Sequence, residues 1–311
     1  MSSQAPPAVV LIRPRHFTPN PATAVDNAFQ SLDSTRDAEQ IAEDAYAEVT
    51  RVAEALTESG IRVHVFENES ATHPDSVFPN NWFSTHAGGY VAIYPMHSES
   101  RRIERRGDII EMLKRDYRVQ EVADYSGLEY DSIFLEGTGA MVLDHTSRLV
   151  FAARSNRANA MALERFCTRF GYESLVFDAV DSEGQPIYHT NVMMCIGTAF
   201  AMVGVEMIPD QRRRDDVIEA IEDSERALIA LRTDQVLDFA GNAIELQSPT
   251  GRILVMSSRA HRSLDPDQIE VIERTCRILP VDVPTIELAG GSVRCMLAGV
   301  HLTPRRVTAR T

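Results

Sequence analysis

Short apolar runs alternate along the chain with longer stretches in which apolar residues return at every third or fourth position, and this alternation itself repeats. "AVVLIRP" reads as a buried strand, the stretch about 37–59 as an amphipathic helix, and "IRVHVFE" as a second strand. After "DSVFPNN" come a hairpin over 82–94 turning at "HAGG", a helix over about 100–117, and a strand in "RVQEVAD". "DSVF" at 75–78 returns 56 positions later as "DSIF" at 131–134, followed by a hairpin over 140–153 turning at "DHTSR", a helix over about 156–169, and the strand "SLVFDA". A third unit opens at "YHTN", turns at "CIGTA", runs a helix over about 212–231 and closes on "QVLDF". A fourth opens at "GNAIEL", turns at "SPTGR", carries a helix from about 265 and closes on "RILPVDV". Each unit reads loop, hairpin, helix, strand.

The two ends of the chain supply the fifth unit, with a hairpin strand from "SVRCMLAG" near the C-terminus and the remainder from the first three N-terminal elements. Five similar units predict an α/β ring with pseudo-fivefold repeats, one domain over 1–311 in which the first and last segments share a repeat. The loops that open the units then face a common axis.

Composition narrows the function without choosing it. A hydrophobic content of 44% with 24% charged residues is that of a globular protein, and no apolar run is long enough for a membrane span. A formal net charge of −14 disfavours nucleic acid, and the one basic cluster, "RRIERRGD", reads as the wet face of a helix. "MSSQAPPAVV" has no basic segment followed by an apolar one, so a cytoplasmic location is expected. Cys167, Cys195, Cys276 and Cys295 show no CxxC spacing and are expected as free thiols.

Listing the polar residues of the five opening loops gives Asp75, Asn80 and Asn81, then Glu136, then His189 and Asn191, then Asn242, and last Cys295. A thiol needs a nearby base or a lowered pKa to act as a nucleophile, and a histidine needs a third group to fix its role. Convergence of Cys295, His189 and Glu136 on one axis meets that requirement. Singly, each has an ordinary explanation: a buried thiol between Val293 and Met296, a strand-end histidine, a turn carboxylate. Arg157 is placed in the first turn of the 156–169 helix, where a cation opposes the helix dipole at a cost of a few tenths of a kcal/mol, so a negative group is expected opposite it; a solvated arginine tolerating that cost is the alternative. A zinc site built from His73, Asp75, His86 and His97 matches no compact ligand spacing.

"DSVFPNN", "LEGTG", "HTN" and "GGSVRC", in this order, resemble the guanidino-group modifying enzymes, the pentein superfamily of five-bladed α/β propellers that includes arginine deiminases, dimethylarginine dimethylaminohydrolases and amidinotransferases. The pattern is closest to the citrulline-utilisation hydrolase branch, also described as amidinotransferase-like. The resemblance implies Cys295 as the nucleophile, His189 as the proton shuttle and Glu136 as its positioning acid. It further implies Arg157 on a substrate α-carboxylate and Asp75 at the substrate's backbone end.

The departures bear on the substrate. Asn80 and Asn81 stand where guanidinium-hydrolysing members have carboxylates, Asn191 where arginine deiminases have an aspartate, and Gly139 in the acidic place of "EGGD". A carboxylate only accepts hydrogen bonds, whereas an amide donates and accepts, which suits a neutral ureido group better than a cation. The expected activity is hydrolysis of citrulline to ornithine, carbon dioxide and ammonia through a covalent intermediate on Cys295, with no metal or organic cofactor. The expected partner is a small amino acid, not nucleic acid or membrane, with a homodimer as the assembly to test for. The rivals are an arginine deiminase-like or dimethylarginine hydrolase-like activity, amidino transfer, and a silent propeller that binds an amino acid or a partner protein.

Overall fold

The computed structural model describes residues 3–24, 27–31, 33 and 35–305. Its strands in chain order are β1 (Ala8–Pro14), β2 (Arg62–Asn68), β3 (Phe83–His86), β4 (Tyr90–Ile93), β5 (Glu121–Asp124), β6 (Val142–Asp144), β7 (Leu149–Ala153), β8 (Glu173–Phe177), β9 (Met194–Ile196), β10 (Phe200–Val203), β11 (Ala227–Ala230), β12 (Ile244–Ser248), β13 (Gly251–Ser257), β14 (Arg277–Val281) and β15 (Ala298–Gly299). They form five three-stranded sheets: β3-β4-β5, β6-β7-β8, β9-β10-β11, β12-β13-β14 and β15-β1-β2. In every sheet the middle strand runs antiparallel to the first and parallel to the third, the parallel pair being joined by a helical crossover. Among the described residues no strand pairing joins one sheet to another, and residues from β3, β6, β9, β12 and β15 line one axial cavity. This is the pentein arrangement expected from the repeat, and β1 with β15 unites the two ends of the chain in one sheet.

The middle strands are the apolar runs because both their faces are covered. β10 is buried throughout and β13 over its last five residues. The helices pack on the outside through one stripe each. In Ala38–Glu58 this stripe is Ile41, Ala45, Val49, Val52 and Leu56, and the Asp37 side chain caps the helix by accepting from the Gln40 amide. No helix among the described residues is long and apolar enough to cross a membrane.

Four sequence expectations change. The helix expected over 100–117 is two pieces, Glu99–Arg102 and Gly107–Asp116. The helix expected over 212–231 spans Gln211–Asp223 and ends before the left-handed Glu225, so the third strand of that sheet is Ala227–Ala230 while "QVLDF" lies largely in the helix Thr233–Leu237. Four apolar residues are too few for their period to separate a strand from a helix end; here pairing of Phe200 with Ala227 decides it. "SVRCMLAG" contributes a helical turn, Val293–Met296, and only the two-residue β15. The helix expected from 156 begins at Ala160 behind the cap Asn159, so Arg157 lies in the preceding loop and opposes no helix dipole.

Candidate active site

The loops that open the sheets meet at one end of the axis around a small cavity. Cys295, His189, Asp75, Asn81 and Arg157 line it. Glu136, Asn80 and Asn191 are fully buried behind them and each is bonded to one of those residues: Glu136 to His189, Asn80 to Asn81, Asn191 to Cys295. The structure thus brings all eight sequence-predicted residues together. The "DSVF"/"DSIF" repeat does not carry into the structure: Asp75 is buried in a turn, whereas Asp131 is exposed at the end of a short 3-10 helix and Ser132 is left-handed.

His189 Nε2 stands 2.8 Å from Glu136 Oε2. Burial alone would raise the Glu136 carboxyl, but the Arg157 guanidinium 3.6 Å away, the His189 bond and Arg101 outweigh it and hold the group well below the usual carboxylate range. Burial lowers the His189 pKa to about 4, against the pull of Glu136 and with the help of Arg157 and Arg101. A neutral imidazole facing a carboxylate must carry its proton on Nε2, which leaves Nδ1 with a free lone pair. That nitrogen lies over Gly139, where an added Cβ would come within 2.8 Å of Nδ1 and 2.4 Å of Asn81 Nδ2. Absence of a side chain at 139 is therefore what admits the ring and the amide.

Cys295 sits in the turn Val293–Met296, and its Sγ receives the Asn191 Nδ2 at 3.2 Å and the Asn242 Nδ2 at 3.3 Å. Asn242 cannot present its amide the other way round, because its Oδ1 accepts from the backbone amides of Ser292 and Arg294, both at 3.1 Å. Gly291 lets the loop close: a Cβ there would come within 2.9 Å of the Phe78 ring and 3.3 Å of the Cys295 Cβ. The thiols of Cys167, Cys195 and Cys276 are pushed up by burial to about 12.

Arg101 is the residue that sequence reasoning missed. It belongs to the supposed wet cluster, yet it is 2% exposed and lines the cavity, and Glu104 beside it is also buried. The other arginines of that cluster do face outward, Arg105 pairing with Glu129 and Arg106 with Asp108. Arg101 points inward from the penultimate position of its short helix. It donates from Nη1 to Asn81 Oδ1 at 2.7 Å, meets Glu104 Oε2 at 3.1 Å, and stands 3.6 Å from Asp75 Oδ2. Asp75 Oδ2 also accepts from Asn20 Nδ2 at 2.7 Å; burial raises the Asp75 carboxyl, and Arg101 and Asn20 oppose that rise. Arg157 finds its negative group in Glu136 and lies over the Tyr188 ring, 5.0 Å from its centroid. The Arg101–Glu104 spacing of three was the available signal, readable only once the helix is known to break at 103.

Of the four residues weighed as zinc ligands, His86 bonds Ser84 and packs against Phe170, His97 packs edge-on to Phe134, and His73 bonds Asn68. Among the described residues no three His, Cys, Asp or Glu side chains are placed to hold a metal ion.

The family model described as N,N dimethylarginine dimethylhydrolase, eukaryotic, matches residues 13–302. No curated protein sequence matches the chain. Among solved structures, ArgZ, an arginine dihydrolase from the ornithine-ammonia cycle in cyanobacteria, is similar with a TM-score of 0.72 and 16% identity, over 94% of this chain and 40% of that one. The chain thus spans less than half of ArgZ; against the ArgZ N-terminal domain bound to product the values are 0.72, 16%, 94% and 97%. The enzyme DDAH from Pseudomonas aeruginosa, as a cysteine-to-serine mutant complexed with citrulline, gives 0.61 and 14% over 95% of this chain and 99% of that one. At these identities the likeness concerns the fold.

Proposed function

Since the chain belongs to the N,N-dimethylarginine dimethylhydrolase family, we propose that it is a cysteine hydrolase of C–N bonds and that its substrate is a ureido amino acid, citrulline. One observation carries the substrate choice. Arg101 has only donors, so the Asn81 atom it meets must be the carbonyl oxygen; Asn81 Nδ2 then donates to Asn80 Oδ1 at 3.0 Å, and Asn80 is left with a buried Nδ2 that has no partner. On the other side Asn191 gives its Nδ2 to Cys295 and keeps a buried Oδ1 without a partner. One orphan donor and one orphan acceptor match a ureido group, which offers a carbonyl oxygen and N–H groups. A guanidinium offers donors alone and would leave the Asn80 Nδ2 without an acceptor.

In this reading Arg157 takes the α-carboxylate and Asp75 the α-amino group. The Cys295 sulfur attacks the ureido carbon as its thiol proton passes to the free Nδ1 of His189, and the bond to the ornithine nitrogen breaks as that nitrogen takes the proton from His189. A carbamoyl group then remains on sulfur. His189, its lone pair restored, removes a proton from water as the water adds to that group, releasing carbamate, which decomposes to carbon dioxide and ammonia. Glu136 holds the imidazole in place throughout and stabilises its charged form.

Acid-quenching a reaction with citrulline and weighing the intact protein tests this reading. A carbamoyl adduct on the peptide containing Cys295, absent in Cys295→Ser, is expected. Ornithine production by a Cys295→Ser protein at the wild-type rate would refute it. The rival with an arginine substrate, the activity named for ArgZ, differs in leaving an amidino adduct.

A further inference from the structure

We propose that the axial cavity behind the nucleophile binds a small oxyanion, held by Arg294 together with His145 and His301. This cavity is small, with about 50 Å3 open to the centre of a water-sized molecule, and is walled by the first strands of all five sheets. Arg294 projects into it from the position next to Cys295. Its only hydrogen bond from the side chain runs from Nη1 to the Leu297 carbonyl at 3.0 Å, and among the described residues no carboxylate lies within ion-pair distance. Glu245 lines the same cavity but is occupied on its own side, accepting from the Thr198 amide and hydroxyl and standing 3.3 Å from Arg252. Arg294 is half-buried and turns its charge into this cavity, where an anion is the partner its guanidinium lacks.

The two histidines add donors and a route of entry. Their rings lie 4.1 Å apart, and both border a second pocket, of about 180 Å3, that is lined by segments from both ends of the chain. His145 is tied through Nδ1 to the Tyr172 hydroxyl at 2.8 Å, which leaves its Nε2 for a ligand. Burial lowers both histidines, His301 to about 4, and Arg294 lowers them further, so both rings are neutral and offer an anion N–H donors while Arg294 supplies the charge. Cys295 follows Arg294 directly in the chain. An anion bound behind it offsets that cation and reduces the nucleophilicity of the sulfur, which makes the site inhibitory.

Thermal unfolding in sodium phosphate and in sodium bicarbonate, each against sodium chloride at equal ionic strength, tests the proposal without any assumed substrate. At a hundredfold excess over Kd the midpoint should rise on the order of 5 °C in wild type. Arg294→Gln should lose the rise and Arg294→Lys should keep part of it. His301→Gln, which leaves the cation in place, serves if the glutamine variant does not fold, and should weaken the response several-fold. Iodoacetamide labelling of Cys295 should slow with the same anion in wild type and not in Arg294→Gln. Equal shifts in wild type and in the Arg294→Gln or His301→Gln variants mean a general salt effect and overturn the site, as does no shift beyond chloride.

Discussion

Replacing Asn80 by aspartate changes one atom and inverts what the site offers. Arg101 fixes Asn81, Asn81 fixes Asn80, and the Asn80 Nδ2 is the orphan donor assigned to the ureido carbonyl. In Asn80→Asp an oxygen takes its place while the bond from Asn81 Nδ2 can persist. Citrulline loses a hydrogen bond of about 0.5–1.5 kcal/mol, and its carbonyl is left facing an acceptor in a buried site, a further ~1–3 kcal/mol. A combined loss of about 1.5–4.5 kcal/mol predicts a fall in kcat/KM for citrulline of roughly 10- to 1,600-fold. Arginine gains a charge-assisted bond of about 1.5–3 kcal/mol and should bind roughly ten- to a hundredfold tighter. Ornithine release measures the first effect, and calorimetric titration of both ligands into a Cys295→Ser background the second. An unchanged preference between the two ligands, in a variant that melts like wild type, refutes the orientation argument. Asn81→Asp is a poorer test, because Arg101 would capture the new carboxylate before any ligand could.

The other expectations draw on the same contacts. Arg157→Met should raise KM for citrulline by one to two orders of magnitude while leaving N-propylurea unaffected, and should move the acid limb of kcat/KM upward from the neighbourhood of pH 4, since removing a cation favours the protonated His189; a stationary limb would contradict the coupling. Asn242→Ala takes the acceptor from the amides of Ser292 and Arg294 and a donor from Cys295, so kcat and the rate of iodoacetamide labelling should both fall about tenfold or more with KM little changed; equal labelling would make Asn242 a loop anchor alone. His86 is buried with its pKa lowered to about 3, so its cost to stability is absent above about pH 6.5 and grows as pH falls towards 3; the stability of wild type relative to His86→Phe should drop by about 2 kcal/mol between pH 7 and pH 5 in chemical denaturation, and a parallel pH dependence would show the ring is not held neutral.

Local signals carried the parts of the fold that local physics decides. The apolar runs of β1, β7, β10 and β13 were readable because both faces of each are covered, and the helix Ala38–Glu58 because Asp37 caps it and its stripe is regular. The equivalence of the opening loops was readable from the repeated order of elements, and it was enough to gather eight residues that the structure also gathers. What escaped depends on distant partners. Ala227–Ala230 is a strand because β10 lies beside it, and Arg101 turns inward because Asn81, Asp75 and Glu104 receive it. Asn80, Asn81 and Asn191 looked interchangeable as amides. Their separate tasks follow from which atom of each is already bonded, and an arginine twenty positions away from Asn81 sets that for two of them. Arg157 was picked out for a helix-dipole cost it does not have, and owes its place to Glu136 and Tyr188.

Parallel turnover of citrulline and arginine by the purified protein, with ornithine and ammonia both quantified, tests the central claim most directly. The account predicts that citrulline yields ornithine and ammonia in equal amounts, that arginine is turned over at least a hundredfold more slowly, and that Cys295→Ser does neither. Efficient conversion of arginine with citrulline inert would contradict it, and would mean that the asparagines around Cys295 do not read a ureido group.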